Sequence, residues 1–69
     1  MTLEQAAKQA MDYLDSAGVA ADWRVGRVYG YDNVLLINAG RTTYYAYCHE
    51  GYRLPMSHIE KQYPTKAAN

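Results

Sequence analysis

The segment Val34-Leu35-Leu36-Ile37-Asn38, continued by Ala39-Gly40-Arg41 and then by Thr42-Thr43-Tyr44-Tyr45-Ala46-Tyr47-Cys48-His49, decides how this chain is read. Its first part is an apolar run of strand length. Its last part is rich in threonine and tyrosine, which suit a pleated, half-buried surface. Asn38-Ala39-Gly40 between them has turn chemistry, with Gly40 able to adopt positive φ. The two parts therefore pair as antiparallel strands. Alternation along Thr42 to His49 sends Tyr44, Ala46 and Cys48 to one face and Thr43, Tyr45, Tyr47 and His49 to the other. The small residues suit close approach of a helix, and the aromatics then lie on the opposite side.

Upstream, Trp23 to Tyr31 is rich in aromatic and β-branched residues and is interrupted by Gly26 and Gly30, which predicts a strand with room for a bulge. Asp32-Asn33 supplies the tight-turn signal between it and Val34. Before that strand, Leu3, Ala6, Ala7, Ala10, Met11, Leu14 and Ala17 recur at helical spacing, with Thr2 as N-cap and Gly18 placed to end the helix. The spacing predicts a helix over residues 3 to 17, supported by a Glu4–Lys8 pair. Its alanine-rich stripe packs on Ala46 and Cys48, with Met11, Leu14, Trp23, Val28 and Leu36 filling the core.

Downstream, Glu50-Gly51 breaks the third strand, so Tyr52-Arg53-Leu54 is expected as a continuation or a fourth edge strand. Ser57 and Glu60 have the spacing of a capping box that opens a short helix after Pro55, and Pro64 stops it. The expected architecture is α+β, in the order α-β-β-β-α, with the N-terminal helix on a three- or four-stranded antiparallel sheet. Residues 1 to 64 form one domain and 65 to 69 a mobile tail.

Composition narrows the function classes. A chain of 69 residues makes one domain, and one of this size buries only about 60% of the surface it exposes when unfolded. Cys48 is the only cysteine, which excludes an internal disulfide and a cysteine-rich zinc site and favours a reducing, cytoplasmic setting. The spacing of Cys48, His49 and His58 does not match the Cys and His zinc motifs, and no calcium loop or phosphate-cradling glycine loop is present, so neither metal nor cofactor is expected. No apolar run is long enough to span a bilayer, and no membrane role is expected. Seven acidic and seven basic residues give a formal net charge of zero, unlike a strongly basic nucleic-acid clamp.

The charges and aromatics are nonetheless concentrated. All four arginines, Arg24, Arg27, Arg41 and Arg53, fall between residues 22 and 54, as do six of the eight tyrosines, and phenylalanine is absent. Tyrosine at an interface buries its ring and leaves its hydroxyl wet, and tyrosine, tryptophan and arginine dominate interface centres. One helix cannot cover both faces of the sheet. The expected binding face holds Tyr29, Tyr31, Tyr45, Tyr47, Arg27 and His49, and its expected occupant is another protein or a second copy of the chain in a homodimer. Stacking of single-stranded RNA or DNA on the same rings is the alternative, weakened by the neutral charge. A third reading makes the tyrosines scaffold, since they form strands well and pair across them.

Catalysis is not expected. Adjacent residues on a strand point to opposite faces, so Cys48 and His49 do not form a nucleophile and base, and nothing in the sequence brings His58 to Cys48 with a third orienting group. A small non-catalytic adaptor or inhibitor fits these features, a style of protein common among phage and mobile-element accessory proteins. The order of elements is superficially similar to that of double-stranded RNA-binding domains and of small inhibitor-like modules. The chain lacks the long, lysine-started second helix of the former, so no residue role follows from either likeness.

Overall fold

Thr2 is the N-cap of the first helix. Its Oγ1 accepts from the Gln5 amide at 3.1 Å, and Gln5 Oε1 accepts from the Thr2 amide at 2.9 Å, so two amides left without a partner in the first turn are satisfied reciprocally. In the computed structural model, which describes residues 1–65, this cap opens α1 (Leu3–Ser16), followed by β1 (Ala21–Val28), β2 (Tyr31–Ala39), β3 (Thr42–Ala46), a 3-10 turn (Cys48–Glu50) and α2 (Met56–Gln62). The strands form one antiparallel sheet in the order β1-β2-β3. The α-β-β-β-α architecture is therefore present with three strands. Apart from Thr65, the expected tail lies outside the described residues. No described helix is long and apolar enough to cross a membrane.

α1 ends where Ala17 caps it and Gly18 turns left-handed at φ 75°. Its salt bridge differs from the expected one: Lys8 pairs forward with Asp12 at 2.8 Å rather than back with Glu4. That bond holds the Lys8 ammonium above its ordinary pKa. The buried stripe Ala6, Ala7, Ala10 and Leu14 packs on Leu35, Ile37, Ala39, Tyr44 and Ala46, and Leu54 and Ile59 close the end of this core. Small side chains on both partners allow the close approach.

The register between strands explains the faces. Leu35 lies across from Ala46 and Ile37 from Tyr44, on the helix side, whereas Leu36 lies across from Tyr45. The expected division of β3 into Tyr44 and Ala46 against Thr43, Tyr45 and Tyr47 holds. Leu36 is buried but belongs to the side away from α1, and Trp23 is 44% exposed on the edge strand, so neither fills the core under the helix. Met11 packs at the margin of that core, and Val28 is half-buried near the hairpin turn.

The first hairpin turns earlier than expected. Val28 pairs with Tyr31, and the turn between them is Tyr29-Gly30, with φ of 51° and 82°. Two consecutive left-handed residues match the right-handed twist of the flanking strands. Asp32-Asn33, read as the turn, is instead a bulge in β2. The register shifts between Gly26 and Val28, so that Asp32 and Asn33 together oppose Arg27, and Asn33 takes φ 57°. Asparagine tolerates that conformation better than most residues.

Two corrections concern the C-terminal third. Tyr52 to Leu54 is no strand: β3 stops at Ala46, the 3-10 turn follows, Gly51 and Tyr52 are left-handed, and Leu54 drops into the core. α2 starts at Met56, N-capped by Pro55 without a side-chain bond, so Ser57 and Glu60 lie inside the helix and form no capping box. Tertiary bonds hold α2 instead. Tyr44 Oη donates to Gln62 Oε1 at 2.7 Å, Gln62 Nε2 donates to Thr42 Oγ1 at 2.8 Å, and Tyr63 Oη donates to the Ala39 carbonyl at 2.9 Å. Tyr13 Oη, reaching from α1, donates to the Tyr63 carbonyl at 2.8 Å. Gly40 is needed on two counts, a φ of 59° and a Cβ position only 2.9 Å from Tyr63 Oη.

Leu14 is fully buried at the centre of the helix face. Leu14→Ala is expected to destabilise the domain by about 2 to 5 kcal/mol, which denaturant melts will read as a large loss of midpoint; a neutral result would show that α1 does not pack as described.

Candidate functional site

Val34 and Leu36 on β2 are almost fully buried although α1 lies on the other side of the sheet. Tyrosine rings cover them. Tyr45 stands directly across from Leu36, Tyr47 follows two residues on, and the rings continue as a contiguous set. Tyr29 meets Tyr45 edge-on at 6.5 Å, Tyr45 lies 6.4 Å from Tyr47, and Tyr47 meets Tyr31 edge-on at 5.5 Å. His49 stacks on Tyr31 at 4.6 Å and lies 5.6 Å from Tyr47. These centroid separations are those of favourable aromatic pairs, each contributing about 0.5 to 1.5 kcal/mol beyond area burial.

The bulge makes this cluster possible. Tyr31 and Val34 are three residues apart, and in a regular strand they would face opposite sides. The extra residue at Asp32-Asn33 restores parity and turns Tyr31 onto the tyrosine face beside Tyr47. His49 arrives by a different route from the alternation expected for a long third strand: the 3-10 turn swings it over Tyr31. The same turn leaves Cys48 exposed rather than packed under α1.

The arginine of the cluster is not the expected one. Alternation in β1 places Arg27 with Trp23 and Val25 on the helix side, where it opposes the bulge and lies 3.7 Å from Asp32 in an exposed pair. Arg24 occupies the tyrosine side. It flanks Gly26 with Leu36: a Cβ on that glycine would sit 3.6 Å from Leu36 Cδ1 and 3.7 Å from the Arg24 guanidinium. Counting parity back from Leu36 through the expected turn at Asp32-Asn33 leads to Arg27, and only the observed pairing of Arg24 with Leu36 places Arg24 there. Acids border the same face, with Asp22 Oδ1 accepting from Asn38 Nδ2 at 3.0 Å and Glu50 3.9 Å from His49.

The eight tyrosines divide evenly by what their hydroxyls do. Tyr13, Tyr44, Tyr52 and Tyr63 each donate to a backbone carbonyl or to Gln62, Tyr52 reaching the Asn33 carbonyl at 2.9 Å. Those four fasten α1, α2 and the 3-10 segment to the sheet. Tyr29, Tyr31, Tyr45 and Tyr47 donate to no described residue, and Tyr29 and Tyr31 are 81% and 49% exposed. Among the described residues no three His, Cys, Asp or Glu side chains are grouped to hold a metal ion.

Burial pushes the Tyr47 phenol above its ordinary value, with the neighbouring tyrosines and Glu50 adding to the shift. Burial does the same to Tyr44, helped by Tyr63 and opposed by the nearby Thr42 hydroxyl, and to Tyr52, helped by Cys48 and Glu4. A phenol with a raised folded pKa stabilises the fold below its unfolded value of about 10 and loses that contribution as pH rises through the folded value. Ultraviolet titration is therefore expected to show some tyrosines ionising later than free tyrosine, with thermal stability falling above about pH 10; stability that stays level through that range would contradict these environments. No protein-family model, curated protein or solved structure matches this chain.

Proposed function

We propose that this chain is a non-catalytic protein-binding module, an adaptor or inhibitor of a larger partner, and that it engages that partner through Tyr29, Tyr31, Tyr45, Tyr47 and His49 with Arg24 at the margin. The observation that carries this reading is the division of the tyrosines. Scaffold needs account for four hydroxyls, which bridge elements. Packing accounts for the rings of the other four but not for their hydroxyls, which suit an interface where the ring is buried and the oxygen is satisfied by the partner or by water.

The mounting suits recognition as well. The rings stand on a sheet that is buried beneath them, and they brace one another edge to face, so little side-chain freedom is lost when a partner docks. The cluster offers stacking surfaces but little positive charge. Asp22 and Glu50 border it, and the chain is neutral, which favours protein over single-stranded nucleic acid as the occupant.

Tyr29 and Tyr31 shield the least and are the variants of choice, because Tyr45 and Tyr47 also cover Leu36 and Val34. The double substitution Tyr29→Ser, Tyr31→Ser is expected to keep the circular dichroism spectrum of the parent. Each change should weaken capture of the partner from host extract by about 1 to 3 kcal/mol, with little dependence on salt. Equal capture by parent and variant would refute the reading, and binding to single-stranded oligonucleotides that falls steeply with added salt would transfer the face to nucleic acid.

A further inference from the structure

The two edges of the sheet differ. β3 is five residues long, and Gln62 at the end of α2 is tied to Thr42 and Tyr44 on it. β1 is eight residues long and pairs with β2 alone, and among the described residues no other segment hydrogen-bonds its backbone. An open edge of that length is a template for a further strand. β1 contains neither proline nor lysine to blunt it, and on its helix side Trp23 and Val25 are 44% and 42% exposed.

We propose that β1 pairs with β1 of a second copy, antiparallel about a two-fold axis at Trp23, joining the two sheets into one continuous sheet. Parity and charge select this register. If both α1 helices are to lie on one side, opposed residues must share a face, so the axis passes through a residue. An axis at Asp22 or at Arg24 sets like charges directly against each other, which is destabilising. An axis at Val25 would pair the stretch from Asp22 to Val28, more of the strand than the Ala21 to Val25 paired about Trp23, but it leaves Asp22 opposite Val28 and Arg24 opposite Gly26, so that neither charge faces its opposite. At Trp23, Asp22 of each copy stands opposite Arg24 of the other on the tyrosine side, while Ala21 meets Val25 around the central tryptophan pair on the helix side.

Two further features agree with the register. Asp22 Oδ1 accepts from Asn38 Nδ2, which anchors the carboxylate that the Arg24 of the other copy would meet. Beyond the paired segment Ala21 to Val25, Arg27 of the other copy would run past Val19, whose amide is held by the Leu14 carbonyl, beside a groove of about 420 Å³ between α1 and the start of β1 lined by Met11, Asp15, Val19 and Ala21. An arginine suits such a place, laying its aliphatic stem on apolar walls and its guanidinium at the carboxylate. The pairing leaves Tyr29, Tyr31, Tyr45 and Tyr47 uncovered, shares only Arg24 with the margin of the proposed binding face, and puts the two clusters on the same side of the joined sheet, where a single partner with two sites would meet both.

The test uses the full chain. Sedimentation from micromolar to millimolar concentration should show a monomer–dimer equilibrium, and Trp23, the only tryptophan, should shift its emission to the blue as dimers form. Asp22→Arg and Arg24→Asp should each weaken association about tenfold or more, and the double exchange should recover most of that loss, because it restores opposite charges only in this register. In a Cys48→Ser background, Trp23→Cys should oxidise to a covalent dimer and Val25→Cys should not. The tyrosine variants Tyr29→Ser and Tyr31→Ser should dimerise like the parent. A chain that stays monomeric at millimolar concentration overturns the proposal, as does a double exchange without recovery or cross-linking at position 25 in place of 23. Loss of the dimer in the tyrosine variants would place self-association on the tyrosine face instead and overturn it equally.

Discussion

Val34, Leu35, Leu36 and Ile37 are buried in succession, so β2 is removed from water on both faces, and a chain with one long helix must cover the second face from its own strands. α1 and the smaller contribution of α2 cover Leu35 and Ile37. On the other side the cover is a layer of tyrosine rings one side chain deep. Burying a leucine or valine contributes roughly 1.5 to 3 kcal/mol, a large share of the stability of so small a domain. The tyrosine layer is therefore part of the fold as well as a surface.

That double duty explains why tyrosine rather than phenylalanine stands at these positions. A ring that covers Leu36 has one face on the core and an edge in water, and a hydroxyl at the wet edge costs nothing to leave solvated. Phenylalanine there would present a wholly apolar patch, an aggregation hazard on an open sheet. The other four tyrosines are half-buried or buried, and each hydroxyl is paired, three with backbone carbonyls and that of Tyr44 with Gln62. Tyr13, Tyr44 and Tyr63 do this in a single seam through Gln62, Thr42 and Ala39. The seam takes the place of the side-chain cap that α2 lacks.

The bulge and the early turn serve the same layer. Moving the hairpin to Tyr29-Gly30 starts β2 at Tyr31, ahead of the buried stretch, and the extra residue at Asn33 corrects the parity so that Tyr31 joins Tyr45 and Tyr47. A left-handed tyrosine at the tip is less comfortable than a glycine, and it sets Tyr29 edge-on against Tyr45. Where the other side of β1 lacks such a cover, Trp23 and Val25 remain in water.

Short-range periodicity determined the element order, the start and end of α1 and the faces of β3, because capping at Thr2, the alanine stripe and the alternation through Tyr44, Tyr45 and Ala46 are local properties of the chain. Tertiary structure decided where the first hairpin turns. Tyr29-Gly30 and Asp32-Asn33 both contain residues that accept positive φ, and only the register with Leu35 and Leu36 chooses between them. The same register moved Arg27 to the helix side and brought Arg24 to the tyrosines, since one bulge reverses parity for everything beyond it. It also separated the four tyrosines that fasten the fold from the four that face outward. A hydroxyl's partner is a distant carbonyl, such as that of Asn33 for Tyr52 or Ala39 for Tyr63, and spacing along the chain carries no record of it.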